Sequence, residues 1–544
     1  MNKPERKEKA ASRKDSFAII SVLAYVCSLI YRIPLIYIIG EKGISYFSIA
    51  NELYLLAGCI LSYGLSEAVS NLVRYRIRRE QFKNADKVLQ GALILALAAG
   101  GILSLLLVFT GHAIAGEVIK MPLAGMAVSL MAPALVFQML TGAFKGYFQG
   151  NGTRVPAIHS KILETLFMII SGLIGAGLLH QYGEKVSALL QNEDYAAAYG
   201  AMGASIGILT ASVLCFLHML LLFFLYHGNA KRQMSRDIQK NQDKVFRIVR
   251  MLAGASFPYI LYQILFQLPV LLDVSFFFRL SEEVANSVLE WGNYYGKCVV
   301  IIGIAGALIS LISLEQTRRI AYFAEREEFR TARERLGVLI HQLLLVSVPA
   351  AVFIAVFAEN FLNLFFKGNN AETASYVMWG SVIVVLYVFS IFFANMLVRL
   401  KRMKYVIGYA AVSLAVHVIA VILLLSNTAL SVTAVIIGNI VFYGIMTVAG
   451  FLLISRILQY TQEWLKAAAF TIIASGIAGL IVMLLNKALI SLTGSTISLV
   501  ICLPVGIIIY MILLIVLRGV TENELKNMAL GEIMIRLGRL LHFM

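Results

Sequence analysis

The chain has 544 residues, of which 60% are hydrophobic and 14% charged, with a formal net charge of +16. Its mean hydropathy is +0.82. Soluble domains run near roughly 45–50% apolar and about 25% charged, so a soluble enzyme, a disordered chain and a fibrous repeat are all excluded. At about 20 apolar residues per span, the composition supplies a dozen or more membrane helices.

In chain order, residues 1–16 are polar and basic, and the apolar run from Phe17 has full span length with no small-residue cleavage site. It reads as a membrane span, not a cleaved signal. Fourteen apolar runs follow one another: 17–39, 45–73, 88–109, 123–147, 158–178, 201–226, 247–272, 291–314, 336–357, 376–398, 403–424, 430–454, 466–485 and 497–517. An all-α polytopic membrane protein with about 14 transmembrane helices is therefore predicted. Proline inside several of them (Pro34, Pro133, Pro258, Pro269, Pro504) marks kinks that lipid-embedded helices tolerate. The stretch Gly172-Leu-Ile-Gly-Ala-Gly177 lies inside a span without a preceding strand, which suits close helix packing and not nucleotide binding. Cys27, Cys59, Cys215, Cys298 and Cys502 are widely separated in apolar runs, so neither disulfides nor structural zinc are expected. Beyond the last run, Thr521 and Glu524 form a capping box before Leu525, Met528, Ile533, Leu537, Leu540 and Leu541, the pattern of an amphipathic interfacial tail.

The basic residues set the expected orientation. With the N-terminus inside, 38 of the 46 Lys and Arg fall in cytoplasmic segments and six (Lys42, Lys120, Lys185, Arg279, Lys367, Lys487) in the opposite loops. That asymmetry predicts a multi-pass protein of a cytoplasmic (plasma) membrane with both termini cytoplasmic. The positive charge is a topology signal, so membrane lipids are expected partners and nucleic acid is not.

The chain also repeats itself. Arg79-Glu-Gln-Phe-Lys-Asn-Ala-Asp-Lys-Val-Leu89 matches Arg326-Glu-Glu-Phe-Arg-Thr-Ala-Arg-Glu-Arg-Leu336 at five of eleven positions. The copies are six spans apart, an even number, which predicts two parallel six-helix bundles and not inverted ones. The expected division is an N-terminal bundle 1–227, a cytoplasmic linker 228–246, a C-terminal bundle 247–456, two extra transmembrane helices 457–517 and a cytoplasmic amphipathic tail 518–544.

Arg32 and Lys297 are the two remaining basic residues, both inside spans. Ionisable groups there are costly and point to function. Arg32, Glu52 and Lys297 lie ~10 Å below the outer boundary at 1.5 Å per residue, and Asp273 closes the seventh run. Arg32 and Lys297, with Glu52 and Gln263 nearby, are candidate substrate ligands, and Asp273 is a candidate cation site. Mutual neutralisation of the two cations by Glu52 and Asp273 is the structural alternative. Glu67, Glu164 and Glu315, nearer the cytoplasmic side, read as gating or interface residues. No Ser/His/Asp, Cys/His, HExxH or Walker pattern is present, so a catalytic role and a bound cofactor are not expected, and coupling to Na+ or H+ stays open.

Four motifs carry a resemblance to a known family. Tyr63-Gly-Leu-Ser-Glu-Ala-Val-Ser-Asn-Leu-Val73, Gly146-Tyr-Phe-Gln-Gly150 with Pro156, Ser160 and Glu164, Phe257-Pro-Tyr259 leading to Leu271-Leu-Asp273, and Arg518-Gly-Val-Thr-Glu-Asn-Glu-Leu525 are its members. Together they resemble the oligosaccharide-lipid flippases of the MATE-like (MOP) exporter superfamily. The branch most like them holds the stage V sporulation protein B-like polysaccharide biosynthesis proteins, relatives of the MurJ-type lipid II flippases. The resemblance implies fourteen helices in two lobes and alternating-access export of a polyprenyl-pyrophosphate-linked glycan by a bacterial monomer. It also implies cavity arginines on spans 1, 2 and 8. Arg32 matches the first, Lys297 stands at the third, and span 2 offers Glu52 with no basic residue. A multidrug or organic-cation exporter of the same fold is the alternative; it usually has an acidic cavity and twelve spans.

Overall fold

The computed structural model describes residues 16–235, 237, 243–280, 284–368, 370–427, 430–461 and 468–517. Among the described residues the secondary structure is helical throughout. Among the described residues twelve helices are long and apolar enough to cross a membrane, and thirteen with the bent pair Pro122–Met131 and Ala134–Gly150 taken as one span. The expected amphipathic tail 518–544 lies outside the described residues, as do the basic residues of the N-terminal tail.

The difference from fourteen arises at the start of the chain, where Ser16–Ile30 is too short to count alone and Arg32–Ile77 counts once. Pro34 has no N–H for the carbonyl of Ile30, which breaks the helix at Tyr31. Helical bonds nevertheless continue across the break, Tyr31 N–H to Cys27 O at 2.9 Å and Leu35 N–H to Tyr31 O at 3.3 Å. At Gly40 the backbone turns to φ 69°, ψ 176°, a region open to glycine and strained for other residues. The first predicted span is thus Ser16–Ile30 continued by 32–39, and a second helical run starts beyond Gly40.

Packing divides the chain into two compact units, Ser16–Gly296 with Val418–Ser431, and Lys297–His417 with the described residues from Val432 onward. In the first unit Ala134–Gly150 lies against Ile60–Ile77. A Cβ on Gly142 would stand 2.7 Å from Ser62 O, on Gly146 2.5 Å from Ser66 O, and on Gly150 2.6 Å from the Val73 Cβ. One glycine per turn therefore lets the two backbones touch, the small-xxx-small packing that replaces a hydrophobic driving force in lipid. Two of the four resemblance motifs are the two sides of this seam. Val155–Leu190 packs on Asp194–Met234 in the same way, where a Cβ on Gly175 would lie 2.5 Å from Gly203 O; the Gly172–Gly177 stretch is a packing seam. Val245–Leu280 rests on Ile60–Ile77 and Phe82–Ala113 within this unit.

In the second unit the last two described helices, Phe470–Thr493 and Ser495–Val516, pair with each other. They pack through Val482, Leu499, Cys502 and Tyr510 onto Phe353 and Phe357. Asn360 exchanges amide hydrogen bonds with Asn486 at 3.0 and 3.2 Å, and Tyr510 donates to Leu345 O at 2.9 Å. Polar groups buried in a lipid-facing bundle are thereby satisfied within protein.

The sequence repeat recurs as local geometry. Helices begin at Phe82 and Phe329, each after a left-handed glutamate, Glu80 (φ 57°) and Glu327 (φ 64°). Gln81 N–H bonds Arg76 O at 3.0 Å and Glu328 N–H bonds Phe323 O at 3.1 Å, the six-to-one closure that ends a helix with a left-handed residue. Arg79 stacks on Tyr75 at 4.3 Å and Arg326 on Tyr322 at 4.4 Å. A second pair of turns matches too: Gly152 (φ 94°) and Lys401 (φ 61°) are followed by Thr153 N–H to Phe148 O at 3.1 Å and Arg402 N–H to Leu397 O at 2.9 Å.

Candidate functional site

Arg32 stands just after the proline-induced break and is 6% exposed. Its partner is Tyr295, in a π-helical turn, Tyr294–Cys298, that follows Val284–Asn293. That segment is fixed on Arg32–Leu53, where Trp291 Nε1–H donates to Ser48 Oγ at 3.1 Å and Ser45 Oγ–H to Val288 O. The guanidinium lies over the Tyr295 ring at 3.8 Å. It donates from Nη1 to Tyr295 O at 3.0 Å and from Nη2 to the Tyr295 hydroxyl at 2.9 Å.

That hydroxyl donates onward to Glu52 Oε1 at 2.5 Å and accepts from Asn51 Nδ2 at 2.9 Å. Gln267 Nε2–H occupies the other oxygen, Glu52 Oε2, and Asn51 Nδ2 also reaches Oε1 at 3.4 Å. Glu52 is 5% exposed. A buried arginine and a buried glutamate thus share one cluster with a phenol between them. Among the described residues no carboxylate lies within 4.0 Å of the guanidinium. Both halves of the cluster adjoin π-helical turns, Tyr54–Cys59 after Glu52 and Tyr294–Cys298 around Tyr295, a local geometry frequent at functional sites.

The other expected ligands are placed as follows. Gln263 is half-buried on Val245–Leu280, one turn before Gln267, and it is Gln267 that reaches Glu52. Asp273, six residues further along, is 2% exposed. Among the described residues no group of three His, Cys, Asp or Glu could hold a metal ion. Lys297 belongs to the other unit. It is 3% exposed, donates to Asn370 Oδ1 at 3.2 Å and stands 5.8 Å from the Phe366 ring. Asn370 is held in turn by Asn363 Oδ1 and Phe366 O, each at 3.1 Å.

Of the three carboxylates expected nearer the cytoplasmic side, Glu164 is the most enclosed, at 5% exposure. Lys161 and Lys145 lie 3.5 and 3.6 Å from its Oε2, and Gln138 Nε2 donates to Oε1 at 3.2 Å. Tyr54 Oη–H reaches the same oxygen at 3.4 Å. Glu67 is half-buried on Ile60–Ile77, and Asn71, one turn on, donates to Tyr259 Oη at 3.4 Å. Glu315 pairs with Arg319 on its own helix at 2.5 Å.

Sequence reasoning found Arg32, Glu52 and Lys297 because charge inside an apolar run is conspicuous. It missed Tyr295, Asn51 and Asn370, neutral residues with no such signal. The one available hint was the doublet Tyr294-Tyr295 two residues before Lys297.

No family model matches the chain. Among curated proteins, Stage V sporulation protein B of Bacillus subtilis (strain 168) is 21% identical over 516 residues, 93% of this chain and 95% of that protein. Among solved structures, the lipid II flippase MurJ in its inward closed conformation aligns with a TM-score of 0.63 at 14% identity, over 91% of this chain and 97% of that one. An inward-facing multidrug resistance MATE family transporter of the MOP superfamily aligns with a TM-score of 0.61 at 16% identity, over 82% of this chain and 99% of that one. The chain is a multi-pass membrane protein with the fold of the MATE transporters and the MurJ flippase, and it is similar to Stage V sporulation protein B over nearly the whole of both proteins.

Proposed function

We propose that this protein is an alternating-access flippase, not an enzyme, that moves a polyprenyl-pyrophosphate-linked glycan across a bacterial cytoplasmic membrane. The observation that carries this reading is the extent of similarity. Stage V sporulation protein B matches over 93% of the chain, and the lipid II flippase covers 91% where the MATE transporter covers 82%.

The site chemistry supports an anionic headgroup. A pyrophosphate needs fixed cations to leave water for a low-dielectric interior. Arg32 uses two of its N–H groups on Tyr295, and the rest suit phosphate oxygens, since a guanidinium carries five donors in a planar fork. Lys297 supplies the second cation in this proposal, Glu67, Glu164 and Glu315 belong to the gating surfaces, and both termini are cytoplasmic. The protein works as a monomer of two six-helix bundles. Any coupling Na+ at Asp273 would draw on backbone or amide oxygens, because no acidic triad is available among the described residues.

The test is mass spectrometry of the lipid that co-purifies with wild-type protein in a mild detergent. A polyprenyl-pyrophosphate glycan is expected in the wild type and depleted at least tenfold in Arg32→Ala. Recovery of no such lipid, together with saturable binding of an organic cation such as ethidium, would favour the multidrug reading.

A further inference from the structure

We propose that Tyr295 is a positioning residue that holds the Arg32 charge apart from Glu52, so that the guanidinium is kept for the phosphate groups of the lipid-linked substrate. This rests on the flippase reading above and deepens it. Opposite charges buried in one cluster attract strongly, and direct pairing is the ordinary result. Here the ordinary result is absent. The Tyr295 hydroxyl donates to Glu52 Oε1 at 2.5 Å and accepts from Arg32 Nη2 at 2.9 Å, standing physically between them.

Every other contact of the two charges reinforces the separation. Glu52 is satisfied by three neutral donors, Tyr295, Asn51 and Gln267. Arg32 is satisfied by a backbone carbonyl, a hydroxyl and a ring face, all from Tyr295. One side of the guanidinium is therefore covered and oriented, while its charge has no carboxylate within 4.0 Å among the described residues. A cation held in this way is preorganised for an incoming anion, which need not first displace a carboxylate. Glu52 in this arrangement orients Tyr295 and does not touch substrate.

The prediction is specific to the hydroxyl. Tyr295→Phe keeps the ring under Arg32 and the carbonyl contact but removes the spacer, so Glu52 is free to close onto the guanidinium and compete with phosphate. Affinity of the purified full-length protein for undecaprenyl pyrophosphate in mixed micelles should fall about tenfold, the scale of one charge-assisted hydrogen bond. Tyr295→Phe combined with Glu52→Gln should return to within about threefold of wild type, because the competing charge is gone. In an Arg32→Ala background, Tyr295→Phe should change nothing further. A Tyr295→Phe protein that binds like wild type, or a loss that Glu52→Gln does not rescue, would overturn the inference, the second outcome meaning that Tyr295 is merely structural. If Tyr295→Phe does not accumulate, Tyr295→His, which keeps a ring and an N–H donor to Glu52, should stay within about threefold of wild type, and a tenfold loss there would also overturn it. Undiminished binding by Arg32→Ala would sink the phosphate-ligand assignment itself, whereas weak binding by Arg32→Ala with an unaffected Tyr295→Phe would sink only the role of the tyrosine.

Discussion

Arg32 and Lys297 are both enclosed, at 6% and 3% exposure, yet their surroundings differ. Arg32 is stacked and held by one tyrosine, whereas Lys297 rests on an asparagine that two further contacts anchor. If each holds phosphate, Arg32→Ala and Lys297→Ala should each reduce transport at least tenfold with normal accumulation, while Lys297→Arg keeps much of it, since charge and donors are what the role needs. Transport measured in a strain depleted of its own flippase checks this, and a wild-type rate from Arg32→Ala would contradict it. Glu164 makes the opposite kind of prediction. It faces Lys145 and Lys161 in a buried setting, so Glu164→Ala leaves two like charges uncompensated and should cost about 3–5 kcal/mol of stability. Thermal unfolding in detergent reads that loss, and adding Lys161→Ala should restore part of it. The charges in these clusters were legible in the sequence because each interrupts an apolar run. Tyr295 and Asn51 were not, because a neutral polar residue in a span has many harmless uses, and a π-helical turn shifts the facing of the residues after it.

The helices show why the family resemblance was readable at all. Gly146 and Gly150 on one side, and Ser66, Ser70 and Val73 on the other, are residues where two backbones meet. A side chain at Gly146 has no room, so Gly146→Leu should destabilise by at least about 1–3 kcal/mol or abolish accumulation; unchanged melting would refute the seam. The repeated turn gives a stabilising counterpart. Glu80 and Glu327 sit in the left-handed region at φ 57° and 64°, which costs a side-chain-bearing residue about 1–2 kcal/mol. Glu80→Gly and Glu327→Gly should each raise the unfolding temperature, with equal sign at both sites because the turns share one hydrogen-bond pattern. Eleven residues of weak identity were enough to find this symmetry. The start of the chain was less readable. Hydropathy places a span at 17–39 but does not register that Pro34 and Gly40 act on hydrogen bonds and φ, not on apolarity.

For the protein as a whole, the strongest sequence signal was the alternation of basic residues, 38 in the segments expected on the cytoplasmic side against six in the loops expected opposite. It predicts that a single cysteine at Gln191 in a cysteine-free background is labelled by an impermeant reagent in intact cells, while one at Arg330 is protected. The reverse pattern would invert the proposed orientation. Both residues lie in ordered turns or helix starts and need no large change of fold to be tested. Packing was not legible in the same way, because hydropathy does not report that Val245–Leu280 joins the unit of the first six spans. The reading of this chain as a carrier of lipid-linked glycan stands most directly on transport itself. Purified protein is reconstituted into liposomes containing fluorescently labelled lipid II, and the fraction accessible to a membrane-impermeant quencher is followed in time. Wild-type protein should equilibrate the two leaflets at least tenfold faster than Arg32→Ala or empty liposomes. Equal rates for all three, with the wild type instead accumulating ethidium, would contradict the flippase account.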